Sequence, residues 1–125
     1  RRTLNAIREA GMKAGVVINP SQRIDLIEPY ISLLDYVVLM TVEPGYAGQR
    51  FLEGGLERIQ ELNGLRSKYK AEFLIEIDGG VDYAYAMPCK EMGADILVTG
   101  IYMIFNQDDG IVEACRRFDR CLNGV

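Results

Sequence analysis

The chain has 125 residues, 49% apolar and 26% charged, a composition that suits one modest globular domain. Its net charge of −4 argues against nucleic acid or an anionic membrane as partner, and its apolar runs are far too short to span a bilayer. Histidine is absent, which excludes His-based triads and His metal ligands from this chain's own residues.

The first segment, RRTLNAIREAG, sets Leu4, Ile7 and Ala10 on one helical face, with Gly11 as the stop. It opens without Met and with no basic-then-apolar leader, and reads as the middle of a longer sequence. AGVVIN (14–19) is short and β-branched, a buried strand. PSQRIDLIEPYISLL (20–34) begins on the start signals Pro20 and Ser21 and predicts a helix interrupted by Pro29. YVVLMTV (36–42) is apolar on both faces, as a parallel strand between covering layers should be. Residues 53–69 place Leu56, Ile59, Leu62 and Leu65 along an amphipathic helix weakened by Gly64. FLIEID (73–78) is the third strand. Asp82 caps a helix over 83–92, which Pro88 should kink or shorten. DILVTG (95–100) is the fourth strand. A last helix over about 109–122 carries Val112, Cys115, Phe118 and Leu122 on one side.

Strands alternating with helices predict an α/β fold with a parallel sheet. Two architectures fit: an open doubly wound sheet, or half of an eight-stranded barrel. A whole (β/α)₈ barrel takes ~250 residues, about twice what is here. No G-x-G-x-x-G follows any strand, so the dinucleotide-binding fingerprint is missing. The three cysteines, Cys89, Cys115 and Cys121, match no metal spacing and read as reduced thiols of a cytoplasmic protein.

In parallel α/β folds, functional groups collect where the strands end. Those ends are Asn19-Pro20, the stretch from Thr41 to Gly48, Asp78-Gly79-Gly80, and Thr99-Gly100-Ile101. Three of the four bear glycine, which lets backbone N–H groups approach an anion closely. Adjacent loops of this kind suggest a phosphorylated ligand. Asp78 directly follows an apolar strand, and two readings of it stay open. It caps the next turn, or it has a metal or catalytic task. Met40 on spacing alone reads as core filler. Glu43 reads as a carboxylate fixing the turn before Pro44, and Tyr46 as a packing or lid residue.

The motifs GMKAGVVINP, VVLMTVEPGYAGQRF, IEIDGGV and MGADILVTGIYMIF, in this order and spacing, resemble the last four βα units of the ribulose-phosphate 3-epimerase family. The resemblance runs from Arg1 to about residue 120. It implies that residues 1–125 are the C-terminal half, strands five to eight, of one TIM (β/α)₈ barrel whose N-terminal half lies outside this chain. It further implies 3-epimerisation of a ketose phosphate by two aspartates through a metal-stabilised enediolate. The substrate would be D-ribulose 5-phosphate (to D-xylulose 5-phosphate) or D-allulose 6-phosphate (to D-fructose 6-phosphate). Asp78 would be one of the two acid/base aspartates and also a metal ligand. Met40, Gly45, Tyr46, Ala47, Gly48, Gly79, Gly80, Gly100 and Ile101 would line the substrate and seat its phosphate. The divalent metal (Zn, Mn, Fe or Co) would draw its remaining ligands, like the second aspartate, from the early strands.

This chain departs from the family pattern at Ile101, where a small hydroxyl residue is usual, and at Pro88 within a helix. The competing reading is a half-barrel that binds a sugar phosphate, or a partner chain through its exposed sheet edges, without catalysis. Homo-oligomerisation through those edges is part of that expectation. A synthase or decarboxylase on the same broad fold is a third reading, which the full MTVEPG signature disfavours.

Overall fold

The computed structural model describes residues 1–124. Helix α1 (Arg2–Glu9) leads into strand β1 (Gly15–Ile18), a 3₁₀ segment (Ile24–Leu33) and β2 (Tyr36–Met40). Then follow α2 (Gly55–Lys68), β3 (Leu74–Asp78), α3 (Tyr83–Glu91), β4 (Ile96–Val98), a π-helical turn (Ile101–Phe105) and α4 (Gly110–Asn123). The four strands form one parallel sheet in the order β1-β2-β3-β4. Each strand is thus joined to its spatial neighbour by a helical crossover, as parallel pairing requires. Among the described residues no helix is long and apolar enough to cross a membrane.

The main core lies on one side of this sheet. Ile18, Val37, Leu39, Ile75 and Ile77 point from the strands into Ile24, Ile27 and Ile31 of the 3₁₀ segment, Ile59 and Leu62 of α2, and Ala86 and Cys89 of α3. Cys89 is fully enclosed; burial first, and then the nearby Asp82 charge, push its thiol up to about 12, so it stays protonated and inert. Cys115 and Cys121 are exposed and unpaired. Among the described residues no helix covers the other side of the sheet. Val17 is 58% exposed, Leu74 45%, Val98 40% and Ile96 39%, with Tyr36, Val38, Met40, Glu76 and Asp78 half-buried among them. A doubly wound sheet would bury both faces; this one buries only one.

Three local expectations change. The helix expected over 20–34 is a 3₁₀ segment that starts at Ile24 and carries Pro29 inside it. Helix α3 runs through Pro88 to Glu91. In α4 the inward side is Ala114, Phe118 and Leu122, while Val112 and Cys115 face solvent. The spacing of 112, 115, 118 and 122 had suggested a different stripe.

At the N-terminal ends of the strands the sheet is tied by a motif that occurs twice. Asp35 donates its N–H to the Ala14 carbonyl at 2.7 Å, and its carboxylate accepts from the Ala14 N–H at 2.8 Å. Asp95 does the same with Ile75, at 2.8 Å in both directions. An arginine seals each pair. Arg8 reaches Asp35 and the Leu33 carbonyl, and Arg66 reaches Asp95 and the Gly93 carbonyl. The Ala14 N–H, with Arg8 and Lys13 adding, holds the Asp35 carboxyl below its usual value of 3.8. A lowered folded value means that Asp35 stabilises the fold fully above that pH, and that the contribution fades as pH falls through the lowered value. Asp35→Asn is therefore expected to be less stable than the parent at pH 7, with the gap closing towards pH 2. Urea midpoints across that range test this, and a gap that stays constant with pH contradicts it.

Candidate functional site

The cleft at the C-terminal ends of the strands is built from the register of β2 and β3. Met40 pairs with Asp78 as the last residue of each strand, both on the bare face. Immediately beyond, Thr41 binds the two strand ends together. Its N–H donates to the Asp78 carbonyl at 2.9 Å and its hydroxyl to the Gly79 carbonyl at 2.6 Å, while its own carbonyl accepts from the Leu52 N–H at 2.9 Å. Thr41 is only 2% exposed, so this hydroxyl has no water to fall back on. Thr41→Val keeps the shape and removes the donor; it is expected to cost about 1–2 kcal/mol. Chemical denaturation measures this, and a neutral result would show that the hydroxyl does not hold the strand ends together.

The loop from Val42 to Phe51 folds back over the sheet end. The Gln49 side-chain amide donates to the carbonyls of Glu43 at 2.5 Å and Tyr46 at 3.1 Å, closing the loop on itself. The Tyr102 hydroxyl donates to the Gly48 carbonyl, and the Arg50 guanidinium lies 5.4 Å from the Tyr102 ring centre. Phe51 anchors the far end by stacking on Tyr85 of α3 at 4.1 Å.

Glycine is needed at Gly79 and Gly80 for a packing reason. Both have positive φ, at 131° and 66°. A Cβ on Gly79 would stand 2.8 Å from the Val42 nitrogen, and one on Gly80 2.3 Å from the Phe51 nitrogen. Two backbones pass there without room for a side chain. Gly45 and Gly100 differ, since a Cβ on either meets nothing within 4 Å, and one on Gly48 meets only Ile101 Cδ1 at 3.7 Å. These three leave open space above the strand ends.

That space is a cleft of about 410 Å³. All ten residues singled out in the sequence line it: Met40, Gly45, Tyr46, Ala47, Gly48, Asp78, Gly79, Gly80, Gly100 and Ile101. Tyr46 stands at the rim, 74% exposed. Sequence reasoning missed Gln49 and Tyr102 as lining residues, and it named Thr41 and Thr99 only as strand ends, without the tie that Thr41 makes. Thr41 carried a signal, a hydroxyl at the end of an apolar run; Tyr102 carried none, because its place depends on the π-helical turn. Of the two readings of Asp78, capping falls to another residue. Asp82 caps α3, accepting from the N–H groups of Ala84 at 2.9 Å and Tyr85 at 3.1 Å. Among the described residues no hydrogen-bond donor or cation reaches the Asp78 carboxylate, which lies beside Met40 in the cleft.

A larger depression of about 860 Å³ opens at the opposite end of the strands, around Asp35, Tyr36, Tyr69 and Leu74. Two of its acids are committed, Asp35 to Ala14 and Arg8 and Glu28 to Tyr69 and Lys68, and it lies at the N-terminal ends of the strands; the smaller cleft, at the C-terminal ends where functional groups of such folds collect, is the better candidate. Among the described residues no three His, Cys, Asp or Glu side chains converge on a metal position. Asp78 alone does not make a metal site.

The comparisons with known proteins agree on one family. A family model described as "Ribulose-phosphate 3 epimerase family" matches residues 1–104. The "Ribulose-phosphate 3-epimerase" of Aquifex aeolicus is 43% identical over 99 residues, 79% of this chain and 45% of the relative. That of Bacillus subtilis is 43% identical over 109 residues, 86% of this chain and 50% of the relative. The chloroplastic "Ribulose-5-phosphate-3-epimerase" of Arabidopsis thaliana is 40% identical over 99 residues, 79% of this chain and 35% of the relative. The chain spans about half the length, or less, of these curated relatives.

Proposed function

The chain belongs to the ribulose-phosphate 3-epimerase family, and on that premise we propose that it forms one wall of a ketose-phosphate 3-epimerase site, acting on D-ribulose 5-phosphate. The observation that carries this is the uncommitted Asp78 carboxylate, next to Met40 on the floor of a cleft rimmed by three glycine-bearing loops.

Epimerisation removes a proton from one face of a carbon and returns one to the other face. A single carboxylate cannot serve both, so two must flank the substrate. Asp78 is the acid/base on one side; its partner lies outside this chain. No internal donor occupies its lone pairs, so they are available to a substrate C–H or O–H. Met40 gives the reacting carbon an apolar neighbour, which keeps water from competing for the proton. The phosphate is seated by the backbone amides of Gly45 to Gly48, Gly79-Gly80 and Gly100-Ile101, with Tyr46 over the rim. Ile101 contributes through its N–H, and its side chain leans towards Gly48. A divalent metal would need ligands from beyond this chain in addition to Asp78, and when bound it would supply positive charge for the oxygens of the developing enediolate.

The same reading extends to the architecture. The sheet is the C-terminal half of a (β/α)₈ barrel, its bare face being the barrel interior. Two facts support this: only one face of the sheet is covered, and the matched stretch makes up only 45% and 50% of two family relatives.

The test is a chimera in which this chain replaces the matching half of the Bacillus subtilis relative. Wash-in of deuterium at C3 of D-ribulose 5-phosphate reads proton abstraction directly. The chimera is expected to exchange and turn over, and the 125-residue chain alone to do neither. A folded chimera that binds the sugar phosphate without exchange would support the non-catalytic reading instead.

A further inference from the structure

The cleft has to seat an anion without a cation in its lining. That lining holds two carboxylates, Glu43 and Asp78, and no lysine or arginine. Its attraction for a phosphate must come from backbone N–H groups, and a carbonyl oxygen left open to the same space would oppose it. The loop from Glu43 to Gly48 has its carbonyls taken one by one. Gln49 binds those of Glu43 and Tyr46 from within the loop. The Gly48 carbonyl is bound from another loop, by the Tyr102 hydroxyl beyond β4. Among the described residues no acceptor takes the N–H groups of Gly45, Ala47 or Gly48.

Tyr102 also spans a gap that the sheet does not set. β2 and β4 are separated by β3, so no strand pairing fixes the distance between the loops that follow them. The loops meet at Gly48, where the Tyr102 hydroxyl binds and where a Cβ would lie 3.7 Å from Ile101 Cδ1. Tyr102 is itself held from behind. Its carbonyl accepts from the Gln107 side-chain amide at 2.9 Å. Gln107 accepts from Arg117 of α4 at 3.0 Å, and Arg117 is paired with Asp109. A run of side chains thus leads from α4 to the tip of the loop after β2.

We propose that Tyr102 is a positioning residue for the phosphate group: its hydroxyl occupies the Gly48 carbonyl, which would otherwise repel the anion, and fixes the gap between the two amide-bearing loops. The inference rests on the phosphosugar reading above and adds to it a residue that sets affinity for the phosphate. The chemistry at Asp78 does not involve this hydroxyl, so its worth belongs in binding and not in turnover.

Tyr102→Phe keeps the ring beside Arg50 and removes only the hydroxyl. Inorganic phosphate is titrated into the 125-residue chain and followed on the amide resonances of Gly45, Gly48 and Gly100. Steady-state kinetics with D-ribulose 5-phosphate are measured in the Bacillus subtilis chimera. Phosphate should shift those resonances in the parent. Tyr102→Phe should weaken phosphate binding about 10-fold and raise KM by a similar factor, with kcat within about two-fold of the parent. Gln107→Ala, which leaves the hydroxyl in place but loosens its support, should act in the same direction and less strongly. Phosphate affinity and KM unchanged in Tyr102→Phe, even with an earlier melt, would make the tyrosine merely structural and overturn the proposal. A fall in kcat at constant KM, or a parent that gives no phosphate response, would overturn it as well. Phosphate binding that depends on Tyr102 in a chimera without C3 exchange would uphold the positioning role and count against the epimerase reading alone. Exchange with a KM indifferent to Tyr102 would do the reverse.

Discussion

Gly80→Ala is expected to destabilise the chain by about 3 kcal/mol or more, lowering its melting temperature by roughly 10 °C. Two costs add. The backbone is held at φ 66°, which a Cβ disfavours, and that Cβ would lie 2.3 Å from the Phe51 nitrogen and 2.7 Å from the Arg50 carbonyl carbon. Neither neighbour is a side-chain tip that could swing away. Phe51 is stacked on Tyr85, and the same loop is tied at the Leu52 N–H to the Thr41 carbonyl. Relief would have to come from shifting the whole loop away from the sheet. Against a typical total stability of about 5–15 kcal/mol this is a large loss. Gly100→Ala is the matched control. Its Cβ meets nothing within 4 Å, so it should change stability by no more than about 0.5 kcal/mol. Urea titrations of the two variants decide the point, and similar losses in both would mean that the close approach at Gly80 is not what fixes the loop.

Asp78→Asn is the second large effect, and it should appear in activity alone. In the Bacillus subtilis chimera the substitution is expected to lower kcat about 10²- to 10⁴-fold, the usual worth of a positioned acid or base. Stability should stay within about 0.5 kcal/mol, because no donor among the described residues depends on that carboxylate. The pair of readouts separates the two readings of the residue. A variant that keeps its turnover but unfolds more easily would make Asp78 structural. A variant that folds normally and loses C3 exchange would make it catalytic. Deuterium wash-in at C3 and thermal melts on the same preparation provide both numbers.

The sequence made the strands easy to find, because AGVVIN, YVVLMTV and FLIEID are dense in residues that suit a buried strand. It could not reveal that one side of those strands is bare. Residues on the bare face and residues under a helix are both apolar, so Val17 and Ile18 look alike on paper and are 58% and 3% exposed. The 3₁₀ segment looks like an ordinary helix in the sequence, because a repeat near three serves both. The stripe on α4 failed for a related reason. Val112, Cys115, Phe118 and Leu122 are at helical spacing, but the helix turns Ala114 inward instead, and alanine carries little weight in an apolar pattern. The cleft residues were legible because glycine and aspartate interrupt apolar runs visibly. Their meeting was not. Met40 beside Asp78 is a register between residues far apart in sequence, and Thr41, which fastens it, is one hydroxyl at the end of a strand.

The duplicated aspartate motif bears on where the cleft lies. Asp35 with Arg8 and Ala14 fastens β1 to β2, and Asp95 with Arg66 and Ile75 fastens β3 to β4. Asp35 also carries the join onward, since its carbonyl accepts from the Leu74 N–H at 3.0 Å and so ties β2 to β3 at the lower end. Met40 closes β2 and Asp78 closes β3, so the cleft opens where these two strands end side by side. Thr41 fastens the same two strands at the upper end. Between those ties the strands share five register pairs over one continuous core, so the distance from Met40 to Asp78 is held by the most extensively paired part of the sheet and changes only if that pairing gives way.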